Sequence, residues 1–500
     1  VPGNQIFGAT LKRCVPLLLA LGLAPACATT PAPALPTLAE ALAVSIDSVI
    51  AVPPVHRASW GILIADAAGV PLHAHNADRL YIPASNMKIV VATAALGILG
   101  PDYRYLTELR ATAPGDSGGR TLLVAASGDP TWSARFHPTV QAPFDSVAAM
   151  VQRAGITALS EVVVDLSRFR DEPVHPTWAV SDLPGAFAPP VDAFAAAEGT
   201  FRLELRGGPA VGAPGTASVL PPLHQPVRAT VITDTAGAPR AVTTDFRARR
   251  DTIFLSARVG LGAVDTVTLA VTQPASSAGA ALVDALRRHG IAVDTIRLVR
   301  DTIELAPLRA ATQPIGTLVS PPMSDIVTAI MRPSQNWISE MVAKTLGWER
   351  ARDGSWAAAM TVHRQYLYDV VRTDSGAVFL RDASGLSAQN LLAPAATVAM
   401  LAHARAQPWA AVYRTAFAQP GLAGSTLATR LRALEGRVHA KTGTITNVNS
   451  LSGYFTAADG RDYLFSIMTN ASGQPAAAMR AAIDDIVLAM ARHLDARGAR

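Results

Sequence analysis

The sequence predicts a mixed α/β (α+β) fold in which both ends of the chain close one domain around a β-rich insertion. Three observations support this. Apolar segments flank a turn signal near each end, helical periodicity accompanies both, and the middle carries short β-branched runs separated by Pro and Gly. The 500 residues are 50% hydrophobic and 16% charged. That excludes a chain disordered throughout and supplies enough core for about three domains at ~150 residues each. No apolar run approaches the ~20 residues of a membrane-spanning helix.

Residues 1–28 read as a secretory signal, because Lys12-Arg13 precede a short apolar stretch from Cys14 to Ala26 and small residues follow. The expectation is export to the periplasm or cell envelope. Cys27 has two readings: the lipidated first residue of a membrane-attached lipoprotein, or part of an ordinary cleavage triplet Ala26-Cys27-Ala28. Residues 29–42, rich in Pro and Ala, read as a tether. Both cysteines, Cys14 and Cys27, lie in this region, so the domains beyond it are expected to lack a disulfide.

Residues 43–100 form the first part of the end-closed domain. There Trp60–Ile64 and the stretch around Leu72 flank Asp66-Ala67-Ala68-Gly69 as a hairpin, and a helix is expected from Met87 to Leu99, stopped by Gly100-Pro101. Residues 101–314 form the insertion, expected to comprise two subdomains. Its strands include Glu161–Val164, Phe201–Leu205 and Thr252–Leu255, and one helix is expected, from Ser276 to His289. Residues 315–500 complete the first domain. Helices are expected over Asn336–Leu346 and Pro394–Ala406, then a hairpin of Leu451–Phe455 with Tyr463–Met468, then a helix from Pro475 to Leu494.

The net charge of +5 is spread without basic blocks, so nothing favours a nucleic-acid partner. The composition of the cations says more. Of 43 Lys+Arg only Lys12, Lys88, Lys344 and Lys441 are lysines. A surviving lysine raises the question whether the chemistry needs an amine able to lose a proton, as guanidinium cannot.

Two of the four lie in short motifs. In Ser85-Asn86-Met87-Lys88, at the start of an apolar helix, the Ser and Lys share a face at i and i+3, so Lys88 could take the Ser85 proton. Read alone, Ser85 would be an ordinary helix cap. Ser334-Gln335-Asn336 opens another helix and has the same plain reading. Lys441-Thr442-Gly443-Thr444 reads as an edge strand whose Gly admits a close backbone approach, or simply as an exposed strand end. Lys344 reads as a helix-surface residue. His73-Ala74-His75 has no third ligand nearby, so neither a metal nor any other cofactor is expected.

In this order the three motifs resemble those of penicillin-binding, serine-type D-Ala-D-Ala carboxypeptidases, and most resemble the low-molecular-mass class C group (peptidase S13-like), which includes endopeptidases. The resemblance extends to the 249 residues from Ser85 to Ser334, to Ser127-Gly128-Asp129-Pro130-Thr131, to Ser320–Asp325 and to Asp382–Ser387 with Asn390. It implies a penicillin-binding/β-lactamase-like transpeptidase domain, an antiparallel sheet flanked by helices, with β-rich inserted domains. It implies action on peptidoglycan stem peptides through an acyl-enzyme, with β-lactams as covalent inhibitors.

Carried over by residue, the resemblance makes Ser85 the nucleophile and Lys88 its general base. Ser334 would relay a proton to the leaving amine, and Asn336 would hold the substrate amide and the Lys88 network. Lys441, Thr442 and Thr444 would bind the terminal carboxylate along the strand that Gly443 opens. The Ser85 and Thr444 N–H groups would form the oxyanion hole. Asp165 falls where the family places an insertion-domain Asp facing a side-chain amine of the substrate. Without the family it is an Asp ending a strand.

Three rivals differ in class. Gly115-Asp116-Ser117-Gly118-Gly119 spells the serine segment of chymotrypsin-like proteases, but too little chain precedes it for a first barrel, and it reads as a hairpin loop. A β-lactamase or esterase on the same fold, and a catalytically dead cell-wall-binding protein, are the alternatives that penicillin turnover and covalent labelling would separate.

Overall fold

A computed structural model describes residues 37–114, 119–221, 223–245 and 251–498. The expected signal, Cys27, the tether up to residue 36 and the Gly115–Gly118 loop lie outside the described residues. The tether does not extend to residue 42, because helix α1 (Leu38–Ile50) begins at Leu38, where Leu42, Ile46 and Ile50 repeat at helical spacing and are buried.

Strands β1 (Ser59–Asp66) and β2 (Pro71–His75) pair as the expected hairpin, followed by α2 (Met87–Ile98). Helix α2 is buried from Met87 to Leu96, as a helix apolar all round must be.

The chain then leaves through β3 (Leu106–Thr112), β4 (Arg120–Ala125), α3 (Ala142–Arg153) and β5 (Ala158–Asp165). It continues through β6 (Thr200–Arg206), β7 (Thr216–Leu220), β8 (Val227–Asp234), β9 (Ala241–Asp245), β10 (Ile253–Gly260) and β11 (Val264–Ala270). It returns through α4 (Pro274–Arg288), β12 (Ala292–Val299), α5 (Thr302–Ala311) and β13 (Thr312–Val319). Strands β12-β5-β4-β3-β13 form a mixed sheet, and β11-β6-β7 and β8-β10-β9 form two smaller ones.

Two expectations need correction here. Among the described residues the region holds three α-helices, α3, α4 and α5, where one was expected, because both faces of its five-stranded sheet carry apolar side chains that helices cover. Leu122, Val124, Val162 and Val164 share one cluster with Phe144 of α3 and Leu282 of α4, whereas Leu123, Val163 and Val299 meet Leu305 of α5. The excursion also ends later than residue 314, since β13 runs to Val319 in register with β3. Its outgoing and returning arms close where Ser320 N donates to Tyr105 O (3.0 Å) and Tyr105 N to Ser320 Oγ (2.9 Å).

The last part adds α6 (Met323–Met331), α7 (Asn336–Ala351), α8 (Trp356–Tyr366), β14 (Val378–Phe379), β15 (Leu391–Leu392), α9 (Pro394–Arg405) and α10 (Ala410–Ala416). Strands β16 (Val438–Ile445), β17 (Val448–Thr456) and β18 (Asp462–Asn470) precede α11 (Ala476–Gly498). The order β16-β17-β18-β1-β2 is antiparallel throughout and joins the two chain ends in one sheet, with β16 at an edge.

Period-2 alternation divides that sheet between two cores. Ile62, Ile64, Leu451, Phe465 and Ile467 face Leu42 and Ile46 of α1 and Ile483 and Met490 of α11. Leu63, Tyr454, Leu464 and Met468 join the cluster of α2 and α9. Lys344 of α7 is not on the surface, as the sequence suggested: it is fully buried, paired with Asp171 (3.1 Å) and 3.9 Å from the Trp356 ring centroid. Among the described residues no helix is long and apolar enough to cross a membrane.

Candidate active site

Ser85 lies in a single 3-10 turn, Ala84–Asn86, that leads into buried α2. Lys88 is one turn on and wholly buried. Its Nζ donates to Ser85 Oγ (2.8 Å), Asn336 Oδ1 (2.6 Å) and Ser384 O (2.6 Å). Three acceptors match three ammonium protons. When one proton leaves, two N–H bonds still anchor the amine, and the lone pair points at Ser85 Oγ. Burial pushes Lys88 down to about 7, against the opposing pull of the Asp382 and Glu340 carboxylates.

The Ser384 carbonyl is held in place from below. Glu340, buried on α7, accepts from Ser384 N (2.8 Å), Ala383 N (3.1 Å) and Trp356 Nε1 (2.8 Å). Asp382 accepts from Gly385 N (2.9 Å), Ser387 N (2.6 Å), Asn390 Nδ2 (2.7 Å) and Trp178 Nε1 (2.9 Å). The Asp382–Ser387 segment is therefore a loop pinned by two carboxylates. Gly385 has φ +82°, and a Cβ there would overlap Ala84 O beside Ser85.

The second motif is shaped by Gln335. Its Oε1 accepts from Ile338 N (2.8 Å) and caps α7, so the cap is Gln335 and not Ser334. Its Nε2 donates to Glu198 (2.8 Å), which is itself held by Arg135 (2.7 and 3.0 Å). Ser334, freed from capping, takes a left-handed φ of 66° and turns its hydroxyl to Lys441. Lys441 is fully buried, and its Nζ donates to Ser334 Oγ (2.8 Å) and Thr442 O (2.8 Å). Burial first, then the neighbouring Lys88, holds Lys441 well below the ordinary lysine range. Asn336 Nδ2 donates to Phe187 O (2.7 Å), which brings the insertion to the site.

Strand β16 passes directly over the Ser85 turn. A Cβ on Gly443 would overlap the Ser450 hydroxyl and lie 2.8 Å from Pro83 O and 3.1 Å from Ser85 N. Ser450 Oγ donates to Pro83 O (2.8 Å), so the strand and the turn are fixed to each other. Gly443→Ala should therefore lower the acylation rate about tenfold or more by shifting Ser85. A measured penicillin-labelling rate within twofold of wild type would refute this.

These residues meet at a cleft of about 510 Å³ lined by Ser85, Ser334, Thr426, Thr429, Arg430, Thr442, Thr444 and Arg480. Thr442 Oγ1 donates to Thr426 Oγ1 (2.8 Å), and Thr444 Oγ1 donates to Gly443 O (2.8 Å). Asp165 does not belong to this group. At the end of β5 its Oδ2 accepts from Arg309 (2.5 Å) and its Oδ1 from Ser167 N (2.9 Å), so its carboxylate is already satisfied by neighbours. The expectation that it faces a substrate amine is corrected accordingly.

Sequence reasoning did not single out Thr426, Thr429, Arg430, Arg480 or Glu340. Only Glu340 carried a signal, as a lone carboxylate inside the apolar stretch Trp337–Val342.

Residues 42–492 match the model of the D-Ala-D-Ala carboxypeptidase 3 (S13) family. The chain is 31% identical over 513 residues to a D-alanyl-D-alanine carboxypeptidase of Actinomadura sp. (strain R39), covering 97% of this chain and 91% of that one. It is 26% identical to a carboxypeptidase DacB of Mycolicibacterium smegmatis, covering 90% and 84%. Penicillin binding protein 4 (dacB) from Haemophilus influenzae shares the fold, with a TM-score of 0.77 at 20% identity, covering 90% of this chain and 99% of that one. Both the motif geometry and the extent of these matches place the chain in the D-Ala-D-Ala carboxypeptidase 3 (S13) family.

Proposed function

We propose that this serine-type D-Ala-D-Ala carboxypeptidase cleaves peptidoglycan stem peptides through an acyl-enzyme on Ser85. The observation that carries the assignment is the convergence of Ser85, Lys88, Ser334 and Lys441 beneath one cleft, through hydrogen bonds of 2.8 Å. Neutral Lys88 takes the Ser85 proton as Oγ attacks the carbonyl carbon of the penultimate D-Ala. The Ser85 and Thr444 N–H groups receive the oxyanion. As the C–N bond breaks, a proton passes through the Ser334 hydroxyl to the leaving amine, with Lys441 beside Ser334 fixing the direction of that relay. Asn336 orients both Lys88 and the substrate amide. Water then hydrolyses the ester and frees Ser85. Cleavage of a cross-link with the same free carboxylate uses the same steps, so endopeptidase activity is part of this reading.

β-Lactams present an amide and a carboxylate in the same relation, and we infer that they acylate Ser85. Incubation with a fluorescent penicillin should label Ser85, as located by peptide mass, and a pentapeptide should release D-Ala. A folded protein that takes no label would favour the dead-site alternative, and fast penicillin turnover would favour a β-lactamase. The family acts in the cell envelope. The signal-like residues 1–28 support export, and Cys27 there supports a lipid anchor. The intact mass of the mature protein separates a lipidated Cys27 from cleavage after Ala28.

The protonation of Lys88 sets the pH profile. Only the neutral amine accepts the proton, so a group at about 7 makes the acylation rate rise with pH and level off above about pH 8. A lysine near its usual ~10.4 would keep the rate rising through pH 9. Acylation rates measured from pH 5.5 to 9.5 distinguish the two, and a continued rise would contradict the role assigned to Lys88.

A further inference from the structure

The cleft contains a cation that no motif accounts for. Arg480, in the first turns of α11, lines the cleft with Ser85, Thr426, Thr429 and Thr442. Its obvious intrahelical partner is Asp484, four residues on. Both Asp484 oxygens are already taken by Arg430, which donates through Nε (3.0 Å) and Nη2 (2.7 Å) in a bidentate pair. Arg430 also lines the cleft, but its charge is matched within the protein. Among the described residues Arg480 makes no ion pair and no hydrogen bond from its side chain, and it is partly exposed.

Lys88 and Lys441 are fully buried, and their ammonium groups are committed to Ser85, Asn336, Ser334 and backbone carbonyls. Each lies below the cleft surface, and burial favours the uncharged form of both. A guanidinium stays charged in this setting and is less strongly hydrated than an ammonium, which suits it to a carboxylate at a cleft wall. Thr426 and Thr442, joined by their hydroxyls, line the same cleft, and Thr426, which accepts from Thr442, keeps its own proton for a ligand.

We propose that Arg480 is a specificity-determining residue that binds the C-terminal carboxylate of the substrate, the Thr426 hydroxyl, held by Thr442, completing the subsite. This rests on the carboxypeptidase reading and deepens it. Selection for a free chain end then depends on a residue from the C-terminal helix, while Lys441 serves chiefly to hold Ser334. Arg480 touches the leaving residue and not the reacting carbonyl, so its removal should weaken binding and leave the chemical step intact.

The test uses two substrates, an acyl-D-alanyl thioglycolate, whose leaving group carries a carboxylate, and its methyl ester, which does not. Both thioesters are reactive enough to be turned over without perfect anchoring. Arg480→Ala should raise KM for the carboxylate substrate about tenfold while kcat stays within about twofold. For the methyl ester both constants should stay within about twofold of wild type. Arg480→Lys should recover most of the loss, because the charge returns. Should Arg480→Ala fail to fold, Arg480→Gln supports the same comparison. Unchanged kinetics on the carboxylate substrate, or equal losses on both substrates, would overturn the role of Arg480 alone. A wild-type protein that turns over neither thioester would overturn the reaction itself, and the subsite with it.

Discussion

Lys88→Arg is expected to reduce acylation of Ser85 by about 10⁴-fold, the upper range for loss of a positioned general base. Three acceptors surround Nζ at 2.6 to 2.8 Å and leave no direction free. An amine can release one proton and turn a lone pair toward Ser85 Oγ. A guanidinium has no lone pair to offer and effectively cannot be deprotonated. It is also larger, in a site with no exposed surface. Overpacking there costs about 1–3 kcal/mol, so a folding control is needed. Lys88→Met is that control: it has similar length and no charge, and it should fold while remaining equally inactive. Second-order rates of labelling by a fluorescent penicillin measure both variants. A Lys88→Arg protein labelled within tenfold of wild type would remove Lys88 from the mechanism.

The same site shows what sequence reading can and cannot reach. Ser85 and Lys88 are three residues apart, and a helix alone brings them onto one face. The hairpins of β1 with β2 and of β17 with β18 are likewise local, since each turn joins strands adjacent in sequence. The partners that complete the site are distant. Lys88 meets Asn336 and Ser384 across 248 and 296 positions, and Lys441 meets Ser334 across 107. The ordered trio of motifs made the first of these legible, through family resemblance and not through periodicity; the bonds of Lys88 to Ser384 and of Lys441 to Ser334 were not foreseen.

Where no motif helped, the reading fell back on local plausibility and failed. A lysine amid helical periodicity looks exposed, yet Lys344 is buried because Asp171 and Trp356 arrive from elsewhere in the chain. For Asp165 it was the resemblance that misled and the local reading that held: it ends a strand, and its carboxylate is paired with Arg309 of α5, a helix not foreseen. Helix α5 carries Pro307 in its interior and only Leu305 buried, so neither composition nor periodicity announced it.

The largest stability effect should follow Glu340→Ala, at about 3–5 kcal/mol, the range for removing one member of a buried charged network. Glu340 has no exposed surface and is the common acceptor for two backbone N–H groups and the Trp356 indole. Alanine would leave all three donors buried without a partner, at about 1–3 kcal/mol each before relaxation. The loss would also release Ser384, whose carbonyl anchors Lys88, so acylation should slow together with unfolding becoming easier. Glu340→Gln keeps the volume and one carbonyl acceptor and should lie between the two. The pH dependence adds a sign. Burial, then the Asp382 carboxylate, raises Glu340 to about 7 in spite of the three donors. Between about pH 4.5 and 7 the folded chain therefore holds more protons at this site than the unfolded chain. Stability from Glu340 is greatest below that window and falls as pH rises through it. Denaturant titrations of wild type and Glu340→Ala, followed by tryptophan fluorescence, should thus show a larger penalty at pH 5 than at pH 8. A penalty below about 1 kcal/mol would show that Glu340 does not hold the loop that aims Ser384 at Lys88, and one that grows toward pH 8 would show that burial does not raise its carboxyl.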